Sequence, residues 1–203
     1  MPDQISFLKA IRENLDDIDL RLVYADWLED NSDPLADFVR LQCELLSVEP
    51  FSERWCDLDQ EAEHTLYYQR KKWLGPLAER EHLDPKPNGV LEHIFKGGVV
   101  EGVDISFDLL LELGETILEQ FPTVHEMTLF DVKYRGAELA KLPILDHVDS
   151  LTICCNRFAR KDLEDLLCSR HLQNLKRLEV WLIDYRSGYE IELTRGLSDI
   201  GRL

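Results

Sequence analysis

The segment Val124-His125-Glu126-Met127-Thr128-Leu129 places apolar side chains at its first, fourth and sixth positions. The same spacing recurs at residues 100–105, 148–153 and 175–180, so that the four segments follow one another at intervals of 24, 24 and 27 residues. Apolar residues in this arrangement predict short strands, each with one buried face. Working outward from 124–129, the chain therefore predicts a series of repeated units.

Apolar residues at helical spacing lie between these strands. One predicted helix contains Leu109, Leu113 and Ile117, and another contains Leu163 and Leu166. The middle connection, 136–145, includes a proline and predicts only a turn or two. A strand and a helix every 20–29 residues or so is the period of leucine-rich repeats, which stack because one unit cannot bury its own apolar face.

These repeats depart from the usual leucine-rich pattern. The asparagine that follows the strand in such repeats is present only at Asn156. The repeats are therefore degenerate. The C-terminal tail, which includes Leu193 and Leu197, is predicted to cap the open end of the stack as an irregular or helical segment.

The first third of the chain predicts four consecutive helices. Asp16 or Asp17 can cap the second helix, Asp33-Pro34 can start the third, and Ser52 can cap the fourth. Gly75-Pro76 ends the fourth helix or bends it sharply. A compact all-α unit is expected from this pattern.

The best domain boundary lies at residues 81–89, which contain two prolines and a glycine and show no periodicity. We predict a helical domain over residues 1–82 and a repeat domain over residues 90–203. The predicted fold class is α/β, with an N-terminal all-α four-helix unit followed by a short leucine-rich-repeat-like solenoid with a curved parallel sheet.

The 203-residue chain is strongly acidic, with 40 Asp and Glu against 23 Lys and Arg and a formal net charge of −17. This charge argues against direct binding of nucleic acid, which depends on basic residues that neutralise phosphates. It leaves open a well-solvated surface, or one that steers basic partners or imitates nucleic acid. No stretch resembles a membrane span or a signal peptide, so we expect a cytoplasmic protein that binds no membrane.

Neither metal nor catalytic motifs are apparent. The five cysteines and six histidines show no C-x-x-C, H-x-x-x-H or H-E-x-x-H spacing. There is no G-x-S-x-G motif, and Gly97-Gly98 is too short for a phosphate-binding loop. We expect reduced cysteines, no metal, no cofactor and no enzymatic activity.

Several motifs in the helical part are similar to those of a known family. They are Phe7-Leu8-x-Ala10-Ile11-x-Glu13, Arg21-Leu22-Val23-Tyr24-Ala25-Asp26-Trp27-Leu28-Glu29, Asp33-Pro34, Phe38-Val39-Arg40-Leu41-Gln42-Cys43-Glu44-Leu45, Trp73-Leu74-Gly75-Pro76-Leu77 and Gly97-Gly98-Val99-Val100-Glu101. Together they resemble the bacterial repeat-companion domain, over residues 5–182 or so. The resemblance implies a helical companion unit ahead of degenerate leucine-rich-type repeats, and it implies no defined catalytic activity.

The residues between the apolar strand positions are the candidate binding surface, because side chains alternate along a strand and these point to the predicted concave side. The residues predicted to form this binding surface are Glu126, Thr128, Phe130, Thr152, Cys154, Arg177, Glu179 and Trp181. Phe130 and Trp181 fall two strands apart, about 10 Å from each other. They are either exposed binding anchors or are covered by the tail or the helices.

Charged residues of the helical motifs form a second candidate. Arg21, Asp26, Arg40 and Glu44 could form an acid–base or anion site, although a structural role is favoured. Arg40 and Glu44 are four residues apart, the usual spacing of a surface ion pair on a helix.

Taken together, these patterns predict a non-catalytic protein–protein interaction module. It would act as an adaptor or regulatory subunit in a bacterial multi-protein assembly, for example in signalling or defence, and would use the concave face of the repeats. The alternative is an acidic inhibitor or nucleic-acid mimic that occupies a basic site on another protein.

Overall fold

The computed structural model of the protein describes residues 3–81, 89–155, 157–184 and 189–196. In this part of the chain, helices predominate in the N-terminal third and strands in the remainder. The helices are α1 (Gln4–Glu13), α2 (Ile18–Asp30), α3 (Leu35–Ser47), α4 (Glu53–Leu74), α5 (Phe107–Gln120), α6 (Gly136–Leu139) and α7 (Arg160–Leu167). The strands are β1 (Leu91–Lys96), β2 (Val99–Ser106), β3 (Glu126–Phe130), β4 (Ser150–Cys155), β5 (Arg177–Asp184) and β6 (Tyr189–Gly196). Short 3₁₀ helices occupy Gly75–Arg80, Pro143–His147 and Arg170–Leu172.

The four predicted N-terminal helices are confirmed, together with most of their caps. The Asp17 side chain accepts a hydrogen bond from the backbone N–H of Leu20 at the start of α2. Ser52 accepts one from Trp55 at the start of α4. These caps satisfy N–H groups that the first turn of a helix leaves without partners.

Proximity of Cα atoms divides the chain into two compact units. The first comprises Met1–Glu81, Phe95–Val100 and Phe121–Thr123, and the second comprises His82–Ile94, Glu101–Gln120 and Val124–Leu203. The first unit therefore includes the tip of the β1–β2 hairpin. Its core joins Leu8, Ile11, Tyr24, Leu28, Val39 and Cys43 to Val99 of that hairpin.

The predicted strands are confirmed and belong to one sheet, whose order is β1-β2-β3-β4-β5-β6. β2, β3, β4 and β5 run parallel to one another, as expected for strands joined by helical connections. The protein is thus a mixed α/β protein. The predicted helices at 109–118 and 163–167 correspond to α5 and α7, and the short connection contains α6 and one 3₁₀ helix.

One buried carboxylate, that of Asp162 on α7, links α7 to the start of α6. Asp162 Oδ1 accepts a hydrogen bond of 3.0 Å from the backbone N–H of Gly136, and its Oδ2 accepts one of 2.8 Å from Ala159. A Cβ atom at position 136 would lie 2.4 Å from the carbonyl oxygen of Asp162. The close packing of α6 against α7 therefore requires glycine at position 136.

Two features of the sheet differ from the prediction. β6 pairs antiparallel with β5, so the prediction that the C-terminal tail is irregular or helical is wrong for the part up to Gly196, which includes Leu193. β1 was not predicted at all, although the two-residue turn Gly97-Gly98 joins it to β2. Both glycines have positive φ angles, 55° and 84°, which is the backbone that a tight hairpin turn requires. Asn156, most of the predicted boundary at 81–89 and the tail after Gly196 lie outside the described residues.

Candidate functional site

The sheet presents two chemically different faces. One face carries buried apolar residues from alternate positions of the parallel strands: Val103, Ile105, Met127, Leu129, Leu151, Ile153, Leu178 and Val180. The intervening residues point to the other side, because side chains alternate along a strand. We call this second surface, formed by residues 102, 104, 106, 126, 128, 130, 150, 152, 154, 177, 179 and 181, the polar face.

Strand register arranges the polar face in three rows that run across the strands. The rows are Gly102–Glu126–Ser150–Arg177, Asp104–Thr128–Thr152–Glu179 and Ser106–Phe130–Cys154–Trp181. The same rows follow from the sequence, because equivalent positions of the four repeated segments pair across neighbouring strands. The register therefore brings all eight predicted site residues onto one face of the sheet.

Glu179 is the best-held charged group of the polar face. It is only 5% exposed, and Oε1 accepts hydrogen bonds from the Arg177 guanidinium while Oε2 accepts one of 3.2 Å from Trp181 Nε1. Burial acts to raise the pKa of Glu179, but the hydrogen bonds from Trp181 and Arg177 outweigh it and lower the pKa below its ordinary value. Three residues of β5 thus form a preorganised charged and aromatic group.

A second acidic group lies at the opposite end of the middle row. Asp104 is half-buried on β2, and burial raises the pKa of its carboxyl above the ordinary value, although a hydrogen bond with Thr128 opposes the shift. Thr128 and Thr152 separate Asp104 from Glu179. The middle row thus has a carboxyl group at each end and hydroxyl groups between them.

The aromatic residues Phe130 and Trp181 stand in the third row with Cys154 between them. All three side chains are half-buried, so each keeps some contact with solvent. The indole N–H of Trp181 is used by Glu179, which fixes the orientation of the ring. Each ring of the aromatic pair is thus partly covered, and neither is fully exposed.

The remaining predicted residues differ in exposure. Glu126 and Arg177 are exposed, whereas Thr128 and Thr152 are half-buried. The Glu126 carboxylate lies 3.7 Å from Nε2 of the buried His125. The two exposed residues of the predicted set therefore both belong to the first row, whereas those of the middle row are half-buried or buried.

The charged residues of the helical motifs pair differently from the prediction. Arg40 binds Asp26 and Glu29 of α2, with Nη2 to oxygen distances of 2.8 and 2.5 Å. Glu44 binds Arg54 of α4. The expected Arg40–Glu44 pair is therefore wrong, because each side chain finds an opposite charge on a neighbouring helix.

Of Arg21, Asp26, Arg40 and Glu44, only Arg21 is buried, with 1% of its surface exposed. Its guanidinium donates hydrogen bonds to the backbone carbonyls of Leu15, at 2.7 Å, and Gly97, at 3.2 Å. These partners join the helices of the first unit to the tip of the hairpin. Arg21 therefore has a structural role, in agreement with the favoured interpretation.

The second unit contains a cleft that the sequence did not indicate. Its volume is about 430 Å³, and its walls include Lys141, Asp165, Arg170 and His171. Asp146 Oδ2 lies 2.9 Å from Nδ1 of His171, although the two residues are 25 positions apart in the chain. No local motif could have linked them.

Among the described residues, no group of three or more His, Cys, Asp or Glu side chains is arranged to hold a metal ion. The described cysteines 43, 56, 154, 155 and 168 are free thiols, and burial raises the pKa of Cys43 and of Cys155. The helices in the described part of the chain are all too short or too polar to cross a membrane.

Comparison with known proteins gives no match: none is found among models of known families, among curated proteins or among solved structures. The geometry of the chain itself is therefore the basis for a functional proposal.

Proposed function

We propose that this protein is a non-catalytic protein–protein interaction module whose partner binds the polar face of the sheet. The observation that carries the proposal is the Arg177–Glu179–Trp181 group together with Phe130 two strands away. Binding energy at protein interfaces concentrates in Trp, Tyr and Arg residues that are held rigidly in a partly enclosed surface. The polar face offers two of these three residue types on β5, one on each side of Glu179.

The mixed character of this surface favours a protein partner. Its rows combine hydroxyl groups, carboxylates, one guanidinium and two aromatic rings, and aromatic residues and arginine are enriched at interfaces between proteins. Fixing the Trp181 indole and the Arg177 guanidinium on Glu179 before binding reduces the entropy that ordering these side chains would otherwise cost.

We extend the proposal to the architecture and setting of the module. In this proposal, β2–β5 and their helical connections form a short, degenerate leucine-rich-repeat-like stack with a curved parallel sheet. The N-terminal helices α1–α4, which precede the stack in the sequence, act as a repeat-companion domain. The interval of 24, 24 and 27 residues between the strand segments supports this interpretation. The module would act as a cytoplasmic adaptor or regulatory subunit of a bacterial assembly.

The test is affinity purification from the native cell with the tagged wild-type chain and with Trp181→Ala and Phe130→Ala. The proposal expects a specific partner, whose affinity Trp181→Ala weakens by about 30-fold, corresponding to about 2 kcal/mol. Tyr67→Ala is the matched control, because Tyr67 is an aromatic residue of α4 that is 79% exposed and lies outside the polar face. Unchanged binding by folded Trp181→Ala and Phe130→Ala chains contradicts the proposal.

Salt dependence separates the proposal from the acidic mimic. A mimic that occupies a basic site depends on exposed charges, so its binding collapses as the Debye length shortens to about 8 Å at physiological salt. An interface anchored by aromatic residues weakens much less. Retention that disappears between about 0.05 and 0.3 M salt therefore supports the mimic.

A further inference from the structure

The cleft of the second unit gathers positive charge in a chain whose net charge is −17. Lys141 follows α6, Arg170 begins the 3₁₀ helix after α7, and both line the cleft. Within the described residues, neither of them forms an ion pair with a carboxylate. Most other cations described here do: Arg40, Arg54, Arg135 and Arg177, for example, each bind an acidic residue.

The acidic groups near the cleft are engaged elsewhere. Asp165 lines the cleft, but its Oδ1 binds Lys161. Glu138 lies one turn before Lys141 and accepts hydrogen bonds from Arg135 instead. Glu138 thus acts on Lys141 only through its electrostatic field, and neither Lys141 nor Arg170 is held in an ion pair with Asp165 or Glu138.

Arg170 is held in place by two residues behind it. Arg170 Nε donates a hydrogen bond of 3.2 Å to Nε2 of His171, which is 8% exposed. Because Nε2 accepts this bond, the ring proton lies on Nδ1 and is donated to Asp146 Oδ2, 2.9 Å away. The chain Asp146–His171–Arg170 uses only Nε of the guanidinium, so its two terminal nitrogens are left for a ligand.

We propose that this cleft binds a small phosphate monoester. A guanidinium with two free terminal nitrogens matches two phosphoryl oxygens, and a lysine supplies the second positive charge. A phosphate monoester carries close to two negative charges at neutral pH, which balances Lys141 and Arg170, whereas a carboxylate balances only one of them. The volume of about 430 Å³ lies within the range of small-molecule sites.

Binding is tested with the full chain by two-dimensional ¹H–¹⁵N NMR at constant ionic strength. The probes are inorganic phosphate, glycerol 3-phosphate, glycerol and acetate. The proposal expects saturable shifts around residues 137–141 and 168–171 with glycerol 3-phosphate, weaker binding of inorganic phosphate, and still weaker binding of acetate and glycerol. Arg170→Ala and Lys141→Ala should each weaken glycerol 3-phosphate binding by about tenfold, the effect of one lost charged hydrogen bond.

Arg160→Ala is the matched control. Arg160 lies on α7, has a side chain that is 92% exposed and does not line the cleft. Its substitution removes the same charge from the same region and should leave binding unchanged. Equal weakening by Arg160→Ala shows a general charge effect and overturns the proposal. So does the absence of saturable shifts, or acetate binding as tight as that of glycerol 3-phosphate.

Discussion

Each of the two units buries a charged side chain, and the two charges are satisfied in different ways. Arg21 of the first unit is 1% exposed and donates hydrogen bonds to backbone carbonyls. Glu179 of the second unit is 5% exposed and accepts hydrogen bonds from two side chains of its own strand. The Arg21 partners lie 6, 75 and 76 residues away, whereas those of Glu179 lie 2 residues away.

This difference separates a structural charge from a surface charge. Backbone carbonyls cannot turn away when Arg21 is lost, so their buried oxygens would be left without partners. The partners of Glu179 are side chains at the edge of an open surface, and they can rearrange toward solvent or toward a bound protein. We therefore expect substitution of the buried charge to lower the free energy of unfolding more in the first unit than in the second.

The largest effect is expected from Arg21→Ala. The substitution removes hydrogen bonds to three backbone carbonyls and leaves a cavity, so the free energy of unfolding should fall by about 3 kcal/mol. Urea denaturation monitored by circular dichroism measures this change. Arg40→Ala removes an arginine from the surface of the same unit and should cost less than about 1 kcal/mol. If both variants lose equal stability, Arg21 has no special role.

A second comparison concerns one glycine of each unit. Gly98 has a φ of 84°, and a Cβ atom there would lie 2.5 Å from the Cα of Val39, so Gly98→Ala should cost about 2 kcal/mol or more. At Gly102 the nearest atom to such a Cβ, 3.3 Å away, is a side-chain atom of Ile94. Gly102→Ala should cost less than about 1 kcal/mol. Thermal unfolding of both variants checks the order, and a more damaging Gly102→Ala would reverse it.

The smallest effect is expected from Glu179→Gln. Its pKa is lowered in the folded protein, so the charged carboxylate contributes stability above the unfolded pKa of about 4.3, and this contribution is lost as the pH falls through the folded pKa. The variant should lose about 1 kcal/mol at pH 7, the difference between a charged and a neutral hydrogen bond.

The pH dependence makes this prediction specific. The stability difference between wild type and Glu179→Gln should shrink toward zero as the pH is lowered below about 4. Glu126→Gln, an exposed position on the same face, is the control and should change stability by less than about 0.5 kcal/mol. A difference that stays constant from pH 7 to pH 3 would show that the Glu179 charge contributes nothing.

Much of the fold was predictable because its signals are local. Capping residues such as Asp17 and Ser52 satisfy N–H groups within three residues. Regular spacing of apolar residues defined the strands β2–β5, and the same spacing aligned the rows of the polar face. Where one side of every strand is buried, a shift of one residue would expose the whole apolar set, so the register follows from the sequence.

Contacts between distant residues account for what was missed. Arg40 could have paired with Glu44 on its own helix, but α2 presents Asp26 and Glu29 to it. The buried residues of β1 are Leu91 and His93. Because one of them is a histidine, β1 lacks the alternation of apolar and polar residues that indicates a strand. β6 pairs antiparallel with β5 at the edge of the sheet, and nothing in its local sequence specified that pairing.

The sequence by itself determined the mixed α/β character, the helical start, the parallel strands and the three rows, because periodicity and capping act over a few residues. Only the tertiary structure decided that Arg21 bonds to Gly97, that Glu179 is buried beneath Arg177 and Trp181, and that Asp146 positions His171 and Arg170 beside the cleft. Charged side chains are long and have several partners within reach. Which partner such a side chain binds depends on the groups that the packed helices and strands bring together, and on how much solvent that packing removes.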